Sequence, residues 1–375
     1  MRTEFAFPRD EYLARIAGVL DVLEAEACDA CIALLPESVT YLTGFYTRGY
    51  VSFQAAVIAP RGEPFVVCRD VEEFHLARTS PFADAVLWTD ADDPIAAAAS
   101  AVRRRVGRVQ RLGIERSAWA LTAPGFEKLI VALDPVGWTD ISLPLQRLRF
   151  RKTPREIAYQ RRAAVAAEAG MRAAITASVI GASERDVAAA ICAAMIAAGS
   201  DTPGPGVLAS GEAAQHLHGS YGDRVLAMGD LVQVETTPQV RNYHARFMRP
   251  IKVAQATDDD FRTAETLIAI QNRALAEVRP GVAAAVPDGI YREGILSASL
   301  RRIYTNKTFY SIGLMIPPTT GEALHAVAGS DWQFEAGMVF HTYVLARGIG
   351  MSETIAVTDS GIERLTNFPR QLFVS

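Results

Sequence analysis

The stretch Arg147-Leu-Arg-Phe-Arg-Lys-Thr-Pro154 divides the chain into two parts of different character. It is basic and polar and stops at a proline. Thr153 before Pro154, with Glu156 three residues after the cap, has the pattern of a capping box, so a long helix is expected over 154–179. Ahead of this boundary, helix-like and strand-like segments alternate. Residues 9–26 space their apolar side chains by three and four, and 30–35 is a short apolar run. Strands at 51–59 and 65–68 flank the turn Pro60-Arg-Gly-Glu-Pro64 as a hairpin. Further helices are expected at 70–78, 93–105 and 122–131, and strands at 84–88, 111–115 and 135–138. Beyond the boundary come helices at 154–179 and 183–198, then strands near 207–209, 230–237 and 241–252. Helices at 257–278 and 284–303 precede a β-rich end over 310–358. Alternation predicts a small α/β domain over 1–150, and segregated helices and strands predict an α+β domain over 151–375.

Of 375 residues, 50% are apolar and 21% charged, which suits a buried core and excludes a disordered chain or a coiled-coil rod. A net charge of −4 offers no electrostatic case for nucleic acid or a polybasic membrane contact. The longest apolar stretch, 187–198, falls short of the roughly 20 residues a membrane span needs. No signal-peptide core is visible, and a cytoplasmic protein is expected. Cys28, Cys31, Cys68 and Cys192 are too sparse for a disulfide framework. Cys28-Asp-Ala-Cys31 has redox spacing but follows a helix instead of opening one, which points to core packing.

Five of the six histidines lie in the second part. In the loop Ser210-Gly-Glu-Ala-Ala-Gln-His216-Leu-His218-Gly219, an extended backbone would put His216 and His218 on one face. They could form a metal pair, or one catalytic base with a surface neighbour. Between Gly229 and Pro250 two strands are expected. If Glu235 pairs with Arg246, then Thr237 pairs with His244 and a carboxylate, a guanidinium and an imidazole converge on one face. The alternative is a solvated salt-bridge face. On the later strand His341 and Tyr343 face the same way, and Glu353 opens the final apolar run as an edge residue or a buried functional acid.

Taken in order, these segments resemble the creatinase, prolidase and methionine aminopeptidase superfamily, the pita-bread fold. The resemblance is carried by Tyr41-Leu-Thr-Gly44, Arg151-Lys-Thr-Pro-Arg-Glu156, Ser210-Gly211 up to His218, Gly229-Asp230, Gly337-Met338, Ser352-Glu353-Thr354 and Val357-Thr358. It implies a C-terminal pita-bread domain behind a smaller creatinase-type N-terminal domain. Metal-dependent members hold two divalent ions with five side chains, and the resemblance places those positions at Glu235, Arg246, Leu314, Tyr343 and Glu353. Only Glu353 is retained as it stands, and one position is a cation, so the resemblance implies no dinuclear metal site and no cofactor.

Two branches of the superfamily, creatinase and ectoine hydrolase, work without metal. The stretches 243–249, 310–318 and 365–373 are similar to those of ectoine hydrolase. What this implies is metal-independent hydrolysis of a C–N bond in a small amidine, cyclic amide or N-acyl amino acid. His218 would be the general acid/base and Glu235 the nucleophile or counter-charge. Arg246 would neutralise Glu235 or grip a substrate carboxylate bidentately. His244 and His341 would be second candidates for proton transfer or for hydrogen bonds to substrate, and Tyr343 and Glu353 would line the pocket. The loop 44–54 with Arg48 would reach across a homodimer to an anionic group of the substrate. The partners implied are a small-molecule substrate and a second copy of the chain, with no nucleic acid and no membrane. A metal-dependent Xaa-Pro peptidase with a degenerate site and a non-catalytic binding protein remain as alternatives.

Overall fold

The computed structural model describes residues 4–201, 204 and 206–375. Contacts cluster into two units, Met1–Arg149 and Phe150–Ser375. The first contains α1 (Arg9–Ala25), β1 (Ala30–Ala33), α2 (Pro36–Thr43), β2 (Ala55–Ile58), β3 (Phe65–Arg69), α3 (Glu73–Thr79), β4 (Ala85–Trp88), α4 (Pro94–Arg105), β5 (Arg111–Ile114), α5 (Ala123–Leu133), β6 (Gly137–Asp140) and α6 (Ser142–Arg147). Its mixed sheet runs β4-β3-β2-β1-β5-β6, with β2 antiparallel to both neighbours and the other pairs parallel. The expected hairpin forms, with Ala56 opposite Val66. β1 and β2 are buried at every residue, as strands covered on both faces require.

Helices α2 and α6 are additions to the sequence expectation. Tyr41-Leu-Thr lies in α2, and Gly44 at φ +75° ends it in the left-handed conformation that glycine tolerates. Arg48 is exposed on the loop that follows. All four cysteines are free, and burial pushes each thiol up, the opposite of what a redox pair needs.

The second unit contains α7 (Pro154–Ala177), α8 (Glu184–Ala197), β7 (Leu208–Ser210), β8 (Leu231–Thr236), β9 (Gln239–Val240), β10 (Tyr243–His244) and β11 (Phe247–Lys252). It continues with α9 (Asp258–Ala276), α10 (Ala285–Ser297), β12 (Phe309–Ser311), β13 (His325–Ala326), β14 (Val339–Ala346), β15 (Ile349–Val357), β16 (Ile362–Arg364) and β17 (Phe373–Val374). The capping boxes at Thr153/Glu156 and Ser183/Asp186 both form, and Thr257/Asp260 starts α9 in the same way. Helices α7 and α8 pack with the sheet β17-β11-β8-β7, and α9 and α10 with the sheet β13-β12-β14-β15-β16. The sheets are stitched together where the Ser352 hydroxyl accepts from Met248 N at 2.7 Å and the Thr354 hydroxyl from Arg246 N at 2.9 Å.

The strand expected over 241–252 is broken in two. Arg241 and Asn242 both take positive φ, 52° and 63°, as the central pair of a tight two-residue turn. Pairing therefore shifts by two residues from the expectation: Glu235 lies opposite Met248 and His244 opposite Gln239. A shift of two preserves the face, because strand side chains alternate with period two. Arg246 thus stays on the Glu235 side.

Candidate active site

Glu235 is the penultimate residue of β8, which is buried throughout, and is 3% exposed. Its backbone N–H donates to Val207 O at 2.9 Å. Gly206, at φ +69°, passes so close that a Cβ there would fall 1.8 Å from Glu235 O. That approach is open only to glycine. Glu235 Oε1 accepts from Arg246 Nε at 2.8 Å, and Arg246 Nη1 donates to Thr320 O at 3.0 Å. The guanidinium carbon lies 5.5 Å from the centre of the Tyr310 ring. Two of the three guanidinium nitrogens of Arg246 are thereby engaged. Burial alone would raise the Glu235 carboxyl, but Arg246, then His341 and His218, outweigh it and hold the group below the usual carboxylate range.

β14 presents His341 and Tyr343 on the same face, as expected, with Tyr310 of β12 directly opposite His341. The imidazole stacks on Tyr343 at 5.5 Å between centroids and meets Tyr310 edge-on at 4.9 Å. Its Nε2 is 3.5 Å from Glu235 Oε1. Among the described residues neither of its nitrogens has a hydrogen-bond partner. Burial, with Arg246 adding to it against the pull of Glu235, pushes His341 down to about 3. His244 is also pushed down to about 3, by burial and then by Arg246, and its Nε2 donates to Met315 O at 3.2 Å. Both rings are therefore neutral at neutral pH. The expectation that they carry protons narrows to hydrogen bonding. Burial raises the Tyr343 phenol, which Asn306 contacts; Asn306 Oδ1 in turn accepts from Arg301 Nη1 at 2.8 Å.

The loop carrying His216 and His218 is not extended. A 3-10 turn over Gly211–Gln215 precedes it, both histidines are exposed, and His218 takes φ +64°. The Gln233 amide, turned to donate, reaches the carbonyls of Ala214 and His216 at 3.1 Å each and ties the loop to β8. His218 is near enough to favour the ionised form of Glu235. His216 is not among the described groups that favour the ionised form.

Two positions implied by the resemblance fall elsewhere. Glu353 lies opposite Thr342, so it points to the face of β14–β15 away from His341 and Tyr343. There it meets Arg249, Arg370 and the Thr366 hydroxyl. Ser352, opposite Tyr343, takes the site-facing place instead. Leu314 is a buried residue bridged to Tyr243, while the side chain beside Arg246 and Tyr343 is Tyr310. Tyr310, Ser352 and Thr320 are the site residues that sequence reasoning missed. The alternation of the Tyr310-Ser-Ile-Gly stretch held the signal for Tyr310. Arg48 belongs to the first unit.

The donor set does not fit a pair of divalent ions. Such ions need a shell of oxygens, most of them carboxylates. Here the single carboxylate faces a guanidinium at 2.8 Å, and the other members are the His341 imidazole, two phenols and a hydroxyl. Among the described residues no group of three or more His, Cys, Asp or Glu is placed to hold a metal.

Residues 158–359 match the model of metallopeptidase family M24, and residues 15–151 that of the creatinase/prolidase N-terminal domain. The chain belongs to metallopeptidase family M24. As an M24 protein it is a hydrolase with a pita-bread domain behind a creatinase-type domain. It is 29% identical to a probable dipeptidase PepE of Mycobacterium tuberculosis, over 97% of each chain. It is 24% identical to the ectoine hydrolase of Halomonas elongata, over the full length of both. The dipeptidase PepE structure from Mycobacterium ulcerans superimposes with a TM-score of 0.83 at 25% identity, covering 98% of this chain and 99% of that one. These M24 relatives bear names of peptidases and of an ectoine hydrolase, so they do not single out one branch. No helix among the described residues is long and apolar enough to cross a membrane.

Proposed function

We propose that the protein hydrolyses a C–N bond in a small amidine, cyclic amide or N-acyl amino acid without a divalent metal. The observation that carries this reading is the Glu235–Arg246 pair: the guanidinium supplies, at 2.8 Å, the positive charge that a metal supplies elsewhere in the family. Its charge is permanent. Glu235 is the ionised carboxylate that takes a proton from the attacking water or itself attacks the electrophilic carbon. On the first route the new C–O bond is to water, the C–N bond breaks, and the water proton ends on the departing nitrogen; on the second the C–O bond is first to Glu235, the nitrogen leaves with a proton, and a water then opens the acyl–Glu235 intermediate and restores the carboxylate. His218, exposed and near enough to act on Glu235, delivers that proton. Tyr310 and Tyr343 flank the Glu235–Arg246 pair, and His244 holds the 315 carbonyl. The likeness to the ectoine hydrolase supports a non-peptide substrate.

The test is turnover of a panel of amidines, lactams and N-acyl amino acids by chelator-treated protein whose metal content is measured. Retained turnover is expected. Cleavage of Xaa-Pro dipeptides alone, restored by manganese or zinc after chelation, overturns the reading. Homodimer assembly, with Arg48 as an anion contact, belongs to the same proposal. Light scattering on the active protein checks it, and a monomer that keeps full activity on dilution refutes it.

A further inference from the structure

We propose that His341 is a positioning residue for Glu235, its Nε2–H serving as a second donor to the carboxylate beside Arg246. The proposal rests on reading Glu235 as the reactive carboxylate. The 3.5 Å between Nε2 and Oε1 is a few tenths of an ångström beyond a good N–H···O bond. An ionised carboxylate only accepts, so the nitrogen turned toward it carries the hydrogen. The ring is wholly buried, and neither nitrogen has a partner among the described residues. Buried polar groups left in that state are rare in folded proteins, and each calls for an explanation.

No hydrogen bond aims the imidazole. Packing does: Tyr343 stacks on one side and Tyr310 meets it edge-on, both fixed by the register of β12 and β14. The other groups facing Glu235 are Arg246 from the link before β11, His218 from the loop after β7, and the phenols of Tyr310 and Tyr343. Arg246 is the strongest of these, but its side chain is 13% exposed and so can be drawn toward a substrate anion. His341 is fully enclosed and meets no such competition. It keeps the carboxylate ionised and aimed when the grip of Arg246 slackens.

The test needs no substrate. Glu235 is followed by carboxyl carbon NMR in wild-type protein, His341→Phe and His341→Gln, with Glu235→Gln assigning the signal. Phenylalanine keeps the aromatic packing and removes the donor; glutamine restores an N–H near the Nε2 position. The Glu235 midpoint is expected to rise by about one pH unit in His341→Phe and to stay near wild type in His341→Gln. Equal midpoints in all three proteins, or equal shifts in both variants, overturn the proposal. Nitrogen-15 spectra of the wild type give a reading independent of how the variants fold. The Nε2–H tautomer is expected, and the Nδ1–H tautomer refutes the assignment. Because neither measurement involves turnover, failure of the hydrolase reading leaves both results interpretable.

Discussion

Glu353 and Arg249 form an ion pair 2.8 Å long with neither side chain exposed, on the face of β15 turned away from His341 and Tyr343. Arg249 also donates to Met248 O and Ser352 O at 2.8 Å each and to Phe368 O at 3.1 Å, so one guanidinium fastens β11, β15 and the C-terminal segment. Removing one partner of such a pair leaves a buried charge uncompensated. Glu353→Ala should therefore lose about 3–5 kcal/mol of stability. Urea unfolding measures the loss. The variant that remains folded should keep its turnover number, which a substrate-contacting glutamate could not do.

Acid should weaken the fold before the carboxylates titrate. His341 is held down to about 3 in the folded protein, against about 6.5 in an unfolded chain. Its contribution is complete above the unfolded value. As pH falls through that value the unfolded chain binds a proton that the folded one refuses. Stability then drops by up to about 1.4 kcal/mol per pH unit for this one group, until the folded value is reached. His244 acts in the same direction. Unfolding midpoints at pH 7, 6 and 5 should decline, and His341→Phe should show a shallower decline. A flat profile in the wild type would contradict the buried neutral ring.

His218→Ala should reduce kcat on the order of 10²–10⁴-fold, the worth of positioned general acid catalysis. His216→Ala should change kcat little, because His216 is not among the described groups that act on Glu235. Steady-state kinetics on both variants, with folding checked by circular dichroism, decides the point. Equal losses would assign the loop a shared rather than a single-residue role.

Arg246→Met should abolish turnover and move the Glu235 carboxyl upward, since burial then acts without its main opponent. Arg246→Lys should fall between wild type and Arg246→Met. It keeps a charge but cannot hold Glu235 and Thr320 O together with a planar fork. Carboxyl NMR and kcat measured on both variants should rank them in the same order.

The sequence by itself determined the starts of the side-chain-capped helices α7 and α8 and the convergence of Glu235 with Arg246. Those signals are local or survive a shift of register. Capping at Thr153 and Ser183 depends on residues three apart, and the face shared by Glu235 and Arg246 depends only on strand parity. Tertiary structure decided what parity across long separations controls. The turn at Arg241-Asn242 set the pairing of β9 with β10. The register of β14 with β15 sent Glu353 to Arg249 and left Ser352 facing the site. The pairing of β12 with β14 brought in Tyr310 where Leu314 was expected. A one-residue change in such a register reverses every side chain, and nothing within a single strand specifies which neighbour it will meet. The neutrality of His341 is likewise a tertiary property, because it comes from burial between Tyr310 and Tyr343 beside the charge of Arg246.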